Sequence, residues 1–262
     1  MVPVIMLHSF QINRPSFGRH ALGLLLVFLA ATEQAPFAAE PARPKPATLP
    51  APTDLSLRHE VQRAIDRGLA SLQTSQNPGG FWSTADHPAI TALVLTAFQG
   101  EPTGRFKPST KSELKRGYAF LLAAAKPDGG IYQKELANYN TAVSMMALLA
   151  ANQPEYDPVL RKARAFLVSS QVDLGEKGKL DAPFDGGVGY GSKYSHSDLN
   201  NTLLALEALY YSKHLVADKS AAEARDLDWP AAIQFLQNCQ NLPGQNPESW
   251  ASADPQNKGG FV

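Results

Sequence analysis

Residues 65–82 read IDRGLASLQTSQNPGGFW. The pair Arg67-Gly68 is followed by Leu72, by Gln76 and by Gly79-Gly80-Phe81-Trp82. Val61, Ile65, Leu69 and Leu72 are spaced i, i+4, i+8 and i+11, one apolar face of an α-helix. The glycines behind it close the helix, because glycine adopts left-handed backbone at little steric cost. The pattern then returns. Gly-Gly stands again at 129–130, 186–187 and 259–260, backed by Ile131-Tyr132, by Val188 with Tyr190, and by Phe261-Val262. Arg116-Gly117 and Lys162-Ala163 match Arg67-Gly68, while Leu121, Leu167 and Leu236 match Leu72. Gln171 and Gln240 match Gln76, and Ala125 takes that place in the second copy.

Behind the first three glycine pairs lie more apolar helical stretches, ITALVLTAF at 90–98, NTAVSMMALLA at 140–150 and NTLLALEALYY at 201–211. Thr91, Thr141 and Thr202 coincide near their starts. The unit is a polar-faced helix, a glycine turn and an apolar helix, about fifty residues in length. Apolar helices form an inner layer and amphipathic ones an outer layer, which predicts an all-α, double-layered ring or solenoid. No stretch alternates with period two for long enough to predict a strand.

Composition agrees with a packed core. The chain has 262 residues, 44% of them hydrophobic, and 24 basic side chains balance 24 acidic ones. Zero net charge removes the electrostatic case for nucleic acid as a partner. Cys239 is the single cysteine, which excludes an intrachain disulfide framework and any multi-cysteine metal site.

The N-terminus reads differently. Arg14, Arg19 and His20 precede ALGLLLVFLAA at 21–31, and FAAE follows at 37–40. A basic flank, a short apolar run and small residues describe a secretory signal peptide over 1–39, so the protein is expected to be exported to the periplasm or cell surface. The run is too short for a stable membrane span. Prolines at 41, 44, 46, 50 and 52 then predict an extended linker over 40–53, with the folded domain at 54–262.

Arg67-Gly68, Leu72-x-x-x-Gln76 and Gly80-Phe81-Trp82 resemble the QW motif of squalene-hopene and oxidosqualene cyclases. The looser copies resemble the prenyltransferase and squalene oxidase repeat. Over 57–262, the resemblance implies the α/α toroid of terpenoid cyclases and protein prenyltransferase β subunits. It implies structural roles for Gln76, Trp82, Gln171 and Gln240, as clips between hairpins. It also implies more hairpins than the three and a half counted here, so the expectation is an incomplete ring truncated at the C-terminus.

In such toroids the N-terminal ends of the inner helices surround one mouth of the central cavity. The matching segments are 86–88, 138–140 and 196–201, and His87, Tyr139, Asn140, His196 and Asn201 are the expected ligand-binding residues. The acidic Asp-x-Asp-Asp cluster of the hopene cyclases is absent, as is the Asp-x-Cys pair of the zinc prenyltransferases. Asp198 and Glu207 remain as candidate catalytic acids. Asp198 also reads as a helix N-cap, and Glu207 also reads as a solvated residue on the helix rim. Tyr139, Tyr190, Tyr210 and Tyr211 are candidates to line an apolar pocket. Two ligands, His196 and Asp198, are too few for zinc, so no metal and no cofactor is expected. The functional expectation is a terpenoid-cyclase-like protein holding an apolar or isoprenoid-like molecule. The alternative is an exported, non-catalytic scaffold binding a protein or a glycan, and glycan cleavage follows only by analogy of fold.

Overall fold

The computed structural model describes residues 55–261, apart from 109–110, 218, 221–223, 253 and 255. The expected signal peptide and linker lie outside the described residues. Seven α-helices are present among the described residues: α1 (Leu55–Thr74), α2 (Pro88–Gln99), α3 (Ser112–Ala123), α4 (Ala137–Ala151), α5 (Asp157–Ser169), α6 (Leu199–Tyr211) and α7 (Trp229–Asn238). Short 3₁₀ turns at Pro154–Tyr156 and Lys213–Val216 join them. No described residue lies in an extended strand, and paired backbone is confined to isolated bridges such as Gln171 with Val188 and Gln240 with Phe261. None of the described helices is long and apolar enough to cross a membrane.

The helices form two layers of an α/α toroid. α2, α4 and α6 pack side by side as the inner layer, with α1 and α3 against α2 and α5 against α4 and α6. Their sequences explain the division. α4 is buried nearly all round, with Val143, Met145, Ala147 and Leu148 among its core residues. α5 buries one stripe, Leu160, Ala163, Arg164, Leu167 and Val168. A helix apolar on every side must be sandwiched, whereas a striped one can face water.

α1 departs from expectation. Of its predicted apolar face only Leu69 is fully buried, and Val61 is 51% exposed. α1 packs mainly on α2, with Gln73 at its far end donating to Glu113 of α3, and its first turns stay exposed.

The junctions between layers are built alike. Gly80, Gly129, Gly186 and Gly259 all take positive φ. The first three press against the backbone of the next outer helix: a Cβ there would sit 2.5, 2.6 and 2.0 Å from the carbonyl oxygens of Arg116, Lys162 and Ala231. Two residues on, or nearly so, the backbone N–H groups of Trp82, Ile131 and Val188 donate to Thr91, Thr141 and Thr202 at 3.1, 2.9 and 2.9 Å. The first turn is therefore shifted by one residue from the plain matching of Gly-Gly pairs. Gly80, not Gly79, is the left-handed residue, and Trp82, not Phe81, occupies the place of Ile131 and Val188.

Gln76 donates to the Gly80 and Glu113 carbonyls at 2.9 and 2.8 Å. Gln171 does the same to Gly186 and Asp228, both at 2.9 Å, and accepts from the Asp228 N–H. Gln240 donates to the Gly259 carbonyl at 3.1 Å. These amides satisfy turn and helix-entry groups that have no partner within a helix. Trp82 is 3% exposed, and its indole N–H donates to the Leu72 carbonyl at 2.7 Å.

Candidate functional site

The three threonine bonds fix a common register for the inner helices. Counting from Thr91, Thr141 and Thr202, one row of each helix faces the outer layer. It holds Thr91, Leu95 and Phe98 on α2, and Thr141, Met145 and Leu148 on α4, with Thr202 and Leu209 on α6, all at most 1% exposed. Each fully buried aliphatic or aromatic chain in such a row contributes about 1.5–3 kcal/mol to folding.

The opposite row is open. It holds Leu93 and Thr96 on α2 with Gly100 just behind it, then Tyr139, Met146 and Ala150 on α4 around a buried Val143, then Asn200, Leu204, Glu207 and Tyr211 on α6. The spacing i, i+4, i+7, i+11 on α4 and α6 defines a single helix face. Leu93 is 52% exposed, Tyr211 is 38% exposed, and Met146, Leu204 and Glu207 are half-buried. This is the inner face, and Glu207 is its one ionisable carboxyl group. In register it is level with Met146 and Thr96. Glu207 has no hydrogen bond or ion pair among the described residues, and burial pushes its carboxyl above the ordinary 4.5. Thr96, Met146 and Leu204 escaped the reading of the sequence. Counting from the shared threonines would have found them.

The mouth residues are mostly occupied by the fold. The Asn140 side-chain oxygen accepts the Ala89 N–H of α2 at 3.0 Å, and its amide donates to the Glu135 and Leu136 carbonyls. Leu136 enters α4 in left-handed backbone, which leaves carbonyls for that amide to reach. Asp198 caps α6, accepting the Asn201 N–H at 2.9 Å and the Asn201 amide at 2.7 Å. Asn201 is 2% exposed, and its own oxygen has no hydrogen-bond partner.

His87 precedes α2 half-buried, with Nδ1 buried and unpartnered. Tyr139 lies with its ring 6.1 Å from that of Tyr190, and burial pushes its hydroxyl up. His196 is exposed, edge-on to Phe184 at 6.2 Å. The structure thus joins Asp198 to Asn201 and Asn140 to α2, but it does not gather His87, His196 and Glu207 at one point. No three His, Cys, Asp or Glu side chains among the described residues converge on a site fit for a metal ion. Cys239 ends α7 half-buried, and burial pushes its thiol up.

Two open clefts are lined by other residues. One runs along α1 between Glu60, Arg63, Asp66 and Arg67. The other lies between Tyr132, Phe166 and the 191–195 turn.

With that geometry in hand, comparison with known proteins is informative. The chain is 31% identical over 152 residues to a terpene cyclase/mutase of Nectria sp, covering 51% of this chain and 20% of that protein. It is 27% identical over 130 residues to a lanosterol synthase of Aspergillus fumigatus, covering 45% of this chain and 17% of that one. The chain thus spans about a fifth of the length of these curated relatives. No family model matches it, and no solved structure matches. Half the chain is therefore related in sequence to terpenoid cyclases, and the helical layers described above have the toroid architecture of that group.

Proposed function

We propose that this protein binds an apolar, isoprenoid-like molecule along its inner face, as a terpenoid-cyclase-like protein. The observation that carries the reading is Leu93 on α2 with Met146 on α4 and Leu204 and Tyr211 on α6, all at least partly exposed. Apolar side chains stand open there although the fold has a buried row on the opposite side of each helix to spend them on. Exposed contiguous apolar surface marks a binding site or an interface. The similarity to a terpene cyclase/mutase and a lanosterol synthase supports an isoprenoid as the ligand class.

Among the candidate acids, Glu207 fits a part in ligand handling better than Asp198. The Asp198 carboxylate is engaged by Asn201 at both oxygens, while Glu207 stands unpartnered. Tyr139 and His87 are the mouth residues with groups to spare. Asn140, Asn201 and His196 complete the rim.

Calorimetric titration of the full chain with farnesol, and incubation with squalene followed by extraction and mass analysis, test this reading. Binding that weakens at least tenfold in Leu204→Asp is the expected result, and a new hydrocarbon product would add catalysis. If neither molecule binds, the apolar-ligand reading fails. The second reading, an exported scaffold for a protein or glycan, is favoured by the apolar run at 21–31 behind its basic flank. N-terminal sequencing of the mature protein tests the export it requires.

A further inference from the structure

Glu207 is the feature of the inner face that an apolar ligand alone leaves unexplained. Other acids near the inner layer are occupied. Glu101 accepts from Thr103 and Gln62, and Asp198 accepts twice from Asn201. Glu207 accepts from nothing among the described residues. Burial acts on it with no charged neighbour to offset the cost. The rest of its row on α2, α4 and α6 carries no charge, so a single negative centre sits in apolar surroundings. A half-buried carboxylate in that position is complemented by a cation that brings its own apolar body. Tyr139 and Tyr211, in the same row on α4 and α6, offer aromatic faces, which also attract cations.

Resting on the apolar-ligand reading, we propose that the ligand is an aliphatic ammonium: one cationic nitrogen held by Glu207, with its hydrocarbon body along Met146 and Leu204. The chemistry distinguishes it from a neutral alcohol or a carboxylate of equal length.

The test uses the full chain and three probes below their micelle concentrations: decylammonium, decanol and decanoate. Titration calorimetry at neutral pH should give decylammonium about tenfold tighter than decanol, with decanoate weakest. Glu207→Gln should erase the advantage of the ammonium and leave decanol within about twofold of its original affinity. Equal binding of decylammonium and decanol overturns the inference while leaving the apolar-ligand reading intact. So does an ammonium advantage that survives in Glu207→Gln, or decanoate as the tightest of the three. The comparison of the three probes on the native chain needs no variant to fold. If none of them binds, the apolar-ligand reading fails and this inference falls with it.

Discussion

Tyr118 on α3 and Arg164 on α5 stand at the same place in successive hairpins, one residue after the Arg116-Gly117 and Lys162-Ala163 pairs. Each reaches the inner helix of its own hairpin. The Tyr118 hydroxyl points to the Ala147 carbonyl of α4 at 3.4 Å. The Arg164 guanidinium donates to the Leu209 carbonyl of α6 at 2.5 Å, to the Ser212 hydroxyl at 3.0 Å and to Asp226 at 2.5 Å. Both side chains are almost wholly out of water. Leu69 occupies the same position on α1, and Ile233 on α7, where it is 53% exposed. At α6 the need is plain, since Leu209 lies in the last turn, where carbonyls lack intrahelical donors, whereas Ala147 lies one turn further inside α4. The chemistry of the clasp varies from hairpin to hairpin. The third hairpin ties α5, α6 and the segment before α7 into one charged network, completed by the Trp229 indole on Asp226 and by Lys213 over the Trp229 ring at 4.2 Å.

Removing the two clasps should separate them clearly. Arg164→Met leaves Asp226 without its ion partner and takes one donor each from the Leu209 carbonyl and the Ser212 hydroxyl, and should cost about 3 kcal/mol, the low end for breaking a buried pair because Asp226 is partly exposed. Tyr118→Phe removes one long hydrogen bond and should cost about 1 kcal/mol. Urea unfolding of the full chain, followed by circular dichroism, measures both. Equal losses would mean that packing of the side chains, and not the charged network, secures the third hairpin.

The reading from sequence caught what is local and missed what is distant. Helix faces, turn glycines and the cap at Asp198 depend on residues within a few positions of each other, and each is visible as a string. Arg164 was not visible, because its partner Asp226 is 62 residues away and nothing in either neighbourhood points to the other. The slip of one residue at the first turn has a similar cause. Gly79 and Gly80 look alike in a string, and only the approach of Arg116 from α3 selects Gly80. For the candidate site, Asn140 looked free because the Ala89 N–H it serves lies on another helix. Glu207 was named, but its face depends on the register of three helices that the threonines anchor.

If clasps vary while turns are constant, turn substitutions should cost the same in different hairpins. Gly129→Ala would place a methyl group 2.6 Å from the Lys162 carbonyl oxygen at φ +98°. Gly80→Ala would do so 2.5 Å from the Arg116 oxygen at φ +88°. Left-handed backbone alone costs a non-glycine residue about 1–2 kcal/mol, and the clash adds to it. About 2–3 kcal/mol is expected for each. Gly178→Ala, at φ +80° with open space around it, should lose only the backbone part, about 1 kcal/mol. Thermal melts of the three variants rank them. If Gly178→Ala is as damaging as the other two, close approach of the next helix is not what the turns select for.

The first hairpin sharpens the comparison with a smaller effect. Its clasp position is the apolar Leu69, and a carboxylate just beyond α2 supplies the polar ties instead. The Glu101 side chain is wholly out of water. Burial pushes its carboxyl up, but the Thr103 hydroxyl, a backbone N–H, the Arg105 charge and the Gln62 amide outweigh burial and hold it below the ordinary 4.5. Gln62 and Arg105 also bind Asp66, so α1 is tied to the loop after α2 through one acid. A carboxyl with a lowered folded value binds fewer protons folded than unfolded. Its contribution is fully present above the ordinary value and is lost as pH falls from there through the folded value. Glu101→Gln removes that dependence. The unfolding midpoint of the variant should therefore fall less than that of the native chain as pH is lowered from 6 to 3. Arg164→Met, which leaves this hairpin intact, should keep the native slope through the same range. Parallel curves for the native chain and Glu101→Gln would show that the first hairpin is held by Leu69 and its apolar neighbours alone.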